Sequence, residues 1–470
     1  MPGLLVALLL VSSLLLVHFS IRAQPMPKAR PLDVDEGLPL PEAGQASTVF
    51  SLSALFGAYF GIASVLGVPA LTGLAFGTVV GLFAVRYWII SRRPERFEDF
   101  LFGLFEGNER NAVVYALVVS LVQCAYAGSE LLILREVAKT ALGLKSEQAT
   151  LVAIGVAIIG YFYVLFGGYM AVFRTDVLQV FLVGIMALAS AAFLLIHHQP
   201  IDWSARLLPR QGYWAIPLVS SGRGLYFYHF LIAAVMGFGL MAASPDTWKR
   251  VYQVSKRKSR SSVRFLTFVV VGLAPYLVLL PFVISIGPIP DGPLKQGLVF
   301  LPSLSSNLVF VAAALGLVAS FLSSFDSALL ASVHVGLMLQ RKKARVESEL
   351  SRFHWLMVAA LFTVFFLFKA LYHYGNVYLL ANFLMGAYAL IGGIHLGTKG
   401  AVSRLPENSL LWVVVLGVAG WVIYFVSAGL PEVPTTYQLN TVPGGVLLFG
   451  LTALVCQLLV LGGKRNARLP

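Results

Sequence analysis

The stretch Ala319-Ser320-Phe321-Leu322-Ser323-Ser324-Phe325-Asp326-Ser327-Ala328-Leu329-Leu330-Ala331-Ser332 sets a row of hydroxyls and one carboxylate inside an otherwise apolar run. Ser320, Ser323, Ser324 and Ser327 fall at i, i+3, i+4 and i+7, the spacing of one helix face. Hydroxyl and carbonyl oxygens are the ligands a hard cation takes. A carboxylate such as Asp326 is costly inside a bilayer unless paired or coordinated, which makes it a functional candidate. Packing of small residues between helices is the other account of the serines.

Three further stretches bear on what such oxygens could face. Gly61-Ile62-Ala63-Ser64-Val65-Leu66-Gly67-Val68-Pro69 and Gly237-Phe238-Gly239-Leu240-Met241-Ala242-Ala243-Ser244-Pro245-Asp246 both weaken the helices that contain them. Backbone groups freed at membrane depth survive only when buried in protein or facing an aqueous cavity. Two interrupted helices, each first in a block of five, are the mark of an inverted-repeat transporter. Gly and Pro are also frequent in membrane helices that merely pack closely. The third stretch runs Gly167-Gly168-Tyr169-Met170-Ala171-Val172-Phe173-Arg174-Thr175-Asp176-Val177-Leu178-Gln179 and reads as a tight turn feeding a helix. Asp176 would lie in that helix's first turn, where the dipole favours negative charge, and capping alone accounts for it equally well.

The elements that must hold these residues are membrane helices. Of 470 residues, 58% are hydrophobic and 12% charged, and mean hydropathy is +0.83. No soluble domain of this size hides so much apolar surface. A hydrocarbon core about 30 Å thick takes roughly 20 apolar residues per helix. Such runs predict helices over 3–20, 50–68, 71–90, 111–134, 149–166, 176–196, 225–243, 265–286, 307–339, 353–372, 376–396, 410–428 and 443–461, thirteen in all. Alternate loops then hold 25 and 7 of the Lys and Arg residues, which places the amino terminus outside and the carboxyl terminus in the cytoplasm. The same loops account for the +13 net charge without nucleic acid. Cys124 and Cys456 both lie in apolar runs, so no disulfide framework is indicated. Residues 1–24 carry the first apolar run; it lacks a positive leading region and reads as a retained helix rather than a cleaved signal.

Taken in order, the motifs Gly-Gly-x-x-Ala-Val-x-x-Thr-Asp-x-x-Gln at 167–179 and Ser-Ser-x-Asp-Ser-x-Leu at 323–329 resemble the sodium:solute symporter family. That family includes sodium-coupled glucose, proline, pantothenate and sialic acid carriers. Ala43-Gly44-Gln45-Ala46-Ser47, Ala63 to Pro69, and Pro245-Asp246-Thr247-Trp248-Lys249-Arg250-Val251-Tyr252 are similar to further family stretches. The resemblance covers nearly the whole chain. It implies an all-α, polytopic membrane fold of two inverted five-helix repeats, 50–196 and 225–396. One helix precedes them and two follow, over 410–461.

The resemblance also implies sites. A sodium ion would take hydroxyls of Ser323 and Ser324, the Ser320 carbonyl, and carbonyls of Gly57 and Phe60. A further sodium site used by some members would involve Asp176, Asp326 and Ser327. The solute would lie near Ala63, Ser64 and Gly67, beside Gln123, Tyr126 and Gly128, and near Gly237, Gly239 and Met241. Departures are plain: Gln45 and Lys249 replace a family Arg and Gln, and Ala70 to Gly77 must serve as a shortened link between the first two core helices. Glu130, Glu136 and Arg135 read as an interfacial charge cluster.

The expected function is therefore sodium-coupled symport of a small organic solute across the cytoplasmic membrane by alternating access. The alternative is a non-transporting relative, a membrane sensor or a subunit of a membrane complex. No nucleophile–base pair or metal-ligand cluster suggests an enzyme, and His197-His198 reads as a solvated pair in an outer loop.

Overall fold

The computed structural model describes residues 68–94, 97–106, 108–197, 222–256, 307–338, 346–373, 377–427 and 434–466, with short helical pieces between 262 and 270. The helices expected over 3–20 and 50–68, and most of 265–286, lie outside the described residues. The described chain is helical, with no strand. Its helices are α1 (Val68–Arg92), α2 (Phe97–Phe105), α3 (Glu109–Leu142), α4 (Ser146–His197), α5 (Gly222–Ala242) and α6 (Pro245–Lys256). They continue as α7 (Asn307–Met338), α8 (Val346–His373), α9 (Val377–Thr398), a 3-10 turn at Val402–Arg404, α10 (Ser409–Ser427) and α11 (Pro434–Asn466).

In an apolar medium backbone groups must bond within their own segment, so runs rich in Leu, Val, Ala and Phe become helices. Four described stretches are long and apolar enough to cross a membrane: Thr72–Arg92, Glu109–Leu132, Ser146–Phe166 and Gly444–Gly462. This is a multi-pass membrane protein. Burial follows the helical period even where apolarity does not. On α1, Leu74, Leu82, Val85 and Trp88 are buried, while Phe76, Phe83, Tyr87 and Ile90 point outward. Lipid solvates that outer face, so sequence alone marks no inner stripe.

α1 packs along α5, α7 between α3 and α4, and α9 along α11 and α5, with α8 on α3. The α1–α5 seam is set by glycines. A Cβ on Gly77 would lie 1.9 Å from the Ala234 carbonyl oxygen, and one on Gly237 would lie 2.4 Å from that of Leu74. Two backbones come this close only where one of the facing residues has no Cβ.

Several expected boundaries move. Ala70 to Gly77, expected as a link, is part of unbroken α1, with Pro69 in its first turn, where the missing N–H costs little. The loop expected at 135–148 shrinks to three residues after α3, because α3 continues to Leu142 and ends on Gly143 at φ 63°. α5 runs without interruption through Gly237 and Gly239, and its break falls at Ala243–Ser244. The expected weakening is absent because these glycines serve close packing: a Cβ on Gly239 would meet the Tyr388 carbonyl oxygen at 2.2 Å. α11 begins at Pro434, so 434–442 is helix rather than loop. Glu130 is buried inside the helix assembly, and Arg135 ties α3 to α4 through Thr150 Oγ1 at 3.1 Å and through Ser146.

Candidate functional site

α7 carries the serine face as one unbroken helix. Ser323, Ser324, Asp326 and Ser327 are all buried. The Ser320 carbonyl lies inside the same helix, so one lone pair is taken by the helical ladder and one is left to offer.

α4 supplies the groups opposite. The turn expected at 167–175 contracts to one non-helical residue, Gly168, at φ 53° and ψ −145°. Only glycine adopts that region without strain. Asp176 therefore lies two turns into the second half of α4 rather than at a helix start, and its partners are tertiary. Ser323 Oγ donates to Asp176 Oδ1 at 3.1 Å. In the first half of α4, the Tyr163 hydroxyl donates to Asp326 Oδ2. A straight helix would hold Tyr163 and Asp176 about 20 Å apart; the bend lets both reach one short stretch of α7.

α6 delivers the third component. Ser244-Pro245-Asp246 is a helix start by residue type: a hydroxyl cap, a proline that needs no donor, and an acid in the first turn. The Ser244 hydroxyl accepts from Thr247 N at 3.3 Å, and the Trp248 indole donates to the Met241 carbonyl at 3.1 Å, fixing α6 against the end of α5. One turn on, Arg250 Nε donates to Asp246 Oδ2 at 2.8 Å, Nη1 to Asp176 Oδ2 at 2.9 Å, and Nη2 to Ser327 Oγ at 3.3 Å. The Arg250 and Asp176 side chains are 0% exposed.

This cluster sets one guanidinium against three carboxylates, Asp176, Asp246 and Asp326. Asp246 and Asp326 each keep one oxygen without a hydrogen-bond partner, as do both ends of the buried Gln179 amide. Ionised carboxylates in such a place require compensation worth several kcal/mol each. The arrangement suits uptake of a small cation. With the Ser323 proton directed at Asp176, the hydroxyl's remaining capacity is as an acceptor.

The expected residues separate into groups. Ser323, Asp176, Asp326 and Ser327 come together, with Ser324 on the same helix. Gln123 reaches the break after α5, its Nε2 donating to the Ala243 carbonyl at 3.3 Å. Met241 is buried at that break. Gly237 faces α1 and Gly239 faces α9, each in close backbone contact. Tyr126 lies one turn beyond Gln123 on α3 and is half-buried. Gly57, Phe60, Ala63, Ser64 and Gly67 lie outside the described residues. Tyr163, Asp246 and Arg250 join the site without having been singled out as ligands. The Asp246–Arg250 spacing of four on a capped helix is a readable signal; nothing local to Tyr163 points to Asp326.

A second buried cluster lies on α6's other side. His395 of α9 stacks on Trp88 (5.4 Å between centroids, 24°) and meets Trp248 edge-on (5.1 Å, 82°). Its Nε2 hydrogen-bonds the Tyr115 hydroxyl at 2.8 Å. This joint ties α1, α3, α6 and α9 together.

No known protein-family profile matches the chain, and a search of curated proteins returns no relative. Solved structures do match. A Na+-coupled sialic acid symporter in a substrate-bound outward-open state superposes at TM-score 0.54 with 15% identity, over 96% of this chain and 97% of that one. A manganese transporter of Eremococcus coleocola gives TM-score 0.51 at 11% identity, over 91% and 95%. Mhp1, a nucleobase-cation-symport-1 family transporter, gives 0.50 at 11% identity, over 89% and 93%. The shared property at such identities is the fold.

Proposed function

We propose that this chain is a sodium-coupled secondary transporter that carries a small organic solute across the cytoplasmic membrane by alternating access. The observation that carries the reading is the Ser323–Asp176 contact. It joins the serine helix to the Thr-Asp motif of α4, the two stretches whose sequences resemble the sodium:solute symporters. The symporter folds that superpose on the chain support it from a separate direction.

The finer reading follows the same line. Two inverted five-helix repeats within thirteen helices would make α3 and α7 equivalent, and likewise the first half of α4 and α8. The packing of α7 on α4 and of α8 on α3 accords with that symmetry. The amino terminus lies outside, following the 25-to-7 division of Lys and Arg. One Na+ binds to the Ser323 and Ser324 hydroxyls and the Ser320 carbonyl, completed by carbonyls of Gly57 and Phe60. Asp176, Asp326 and Ser327 form a second position that requires a cation. The solute occupies the space by Ala63, Ser64 and Gly67, closed by Gln123, Tyr126, Met241 and the Gly237–Gly239 stretch.

An ion that bridges two helices stabilises only the assembled protein, by about 1.4 kcal/mol at ten times its Kd. Purified protein should therefore melt higher in sodium than in potassium at equal ionic strength. Ser324→Ala should shrink that difference while leaving the protein folded, since a small residue still packs there. Identical wild-type melts in the two salts would overturn the sodium reading and favour a sensor or a subunit of a membrane complex.

A further inference from the structure

We infer that the guanidinium of Arg250 is the cation at the second position, so that the chain holds one exchangeable sodium ion and a tethered charge in place of another. The inference deepens the sodium reading above and rests on it.

Two of the three side chains at that position are already engaged. Arg250 reaches Asp176 Oδ2 at 2.9 Å and Ser327 Oγ at 3.3 Å, so its fork spans the gap an ion would fill. The other Asp176 oxygen accepts from Ser323. The third side chain, Asp326, takes the Tyr163 hydroxyl on one oxygen. A guanidinium stays charged at any pH a protein meets and offers donors in a fixed planar fork. It also cannot leave. Asp246 holds Nε from the same helix at 2.8 Å, and α6 is itself anchored through Ser244 and the Trp248 indole. Arg250 thus compensates Asp176 whether or not the neighbouring sodium site is filled.

Without the guanidinium, Asp176, Asp246, Ser323 and Ser327 would surround the vacated space with oxygen acceptors and no cation. That is a ligand set for sodium. The test is equilibrium binding of 22Na+ to purified full-length protein in lipid nanodiscs, with no solute present. Wild type should bind one ion per chain, Arg250→Lys one, and Arg250→Met two. The double variant Arg250→Met/Asp246→Asn removes one carboxylate together with the guanidinium, which protects folding, and should also bind two. Folded Met variants that gain no ion, or a wild type that already binds two, overturn the inference. Met variants that fold in neither form, even at high sodium, also overturn it, because sodium then cannot take the guanidinium's place. A wild type that binds none beside an Arg250→Met variant that binds one keeps the inference and removes the Ser323–Ser324 sodium site.

Discussion

α6 carries two buried clusters on its two sides, and they are built on opposite terms. Around Arg250, acidic groups outnumber the cation: Asp176 and Asp246 bind one guanidinium, Asp326 takes the Tyr163 hydroxyl beside them, and Asp246 and Asp326 each keep an oxygen without a hydrogen-bond partner. Around Trp248, the packing is aromatic and the polar contacts are few: Tyr115 with His395, and the indole with the Met241 carbonyl, while His395 Nδ1 has no hydrogen-bond partner among the described residues. The second cluster is what a helix joint needs. The first is poor as a joint, since a well-packed apolar core would do the same work with no desolvation cost. The excess of buried acid is what the sodium site proposed beside it would help to compensate.

Mutations can break that contrast. The largest effect is expected for Arg250→Ala in sodium-free potassium buffer, a loss of about 3–5 kcal/mol in denaturant unfolding, because buried carboxylates lose their partner. Asp246→Asn should cost less than about 1 kcal/mol, since it removes one of the carboxylates in excess and its amide oxygen still accepts from Arg250. Equal losses for the two variants would mean that the cluster is not charged as described. Trp248→Phe should cost about 1–3 kcal/mol by leaving the Met241 carbonyl without its indole donor. That loss should be the same in sodium and potassium, and a sodium-dependent loss would merge the two clusters into one. Tyr115→Phe and His395→Phe should each cost roughly 1 kcal/mol, and the double variant less than their sum, by about 0.5 kcal/mol or more in a double-mutant cycle. The smallest effect belongs to the exposed pair Arg110–Glu407, 3.6 Å apart with side chains 69% and 67% exposed. Glu407→Ala should change stability by no more than about 0.5 kcal/mol.

The serine face was legible because polar atoms stand out in an apolar helix, and the spacing of 320, 323, 324 and 327 placed them together before any packing was known. Helix existence was legible for the same reason. The ends were not: a membrane helix can continue past the apolar run, as α3 does to Leu142, since its polar last turns can bond their own backbone outside the hydrocarbon. Gly237 and Gly239 looked like weak points and proved to be contact points, because a glycine's sequence signature is the same for unwinding as for close approach. Arg250 was visible only as part of a motif. Its role depends on α4 and α7 meeting α6, a juxtaposition that local sequence does not encode.

Gly168 has a mechanical consequence. Five residues before it, Tyr163 is fastened to Asp326; eight residues after it, Asp176 is fastened to Ser323, on the same helix and three positions away. The elbow of α4 is therefore clasped by both arms to a single post. Widening or narrowing its angle must pull one clasp open, and the clasp on the Asp176 side is made by the hydroxyl proposed to hold sodium. Whatever occupies that hydroxyl sets how stiff the elbow is.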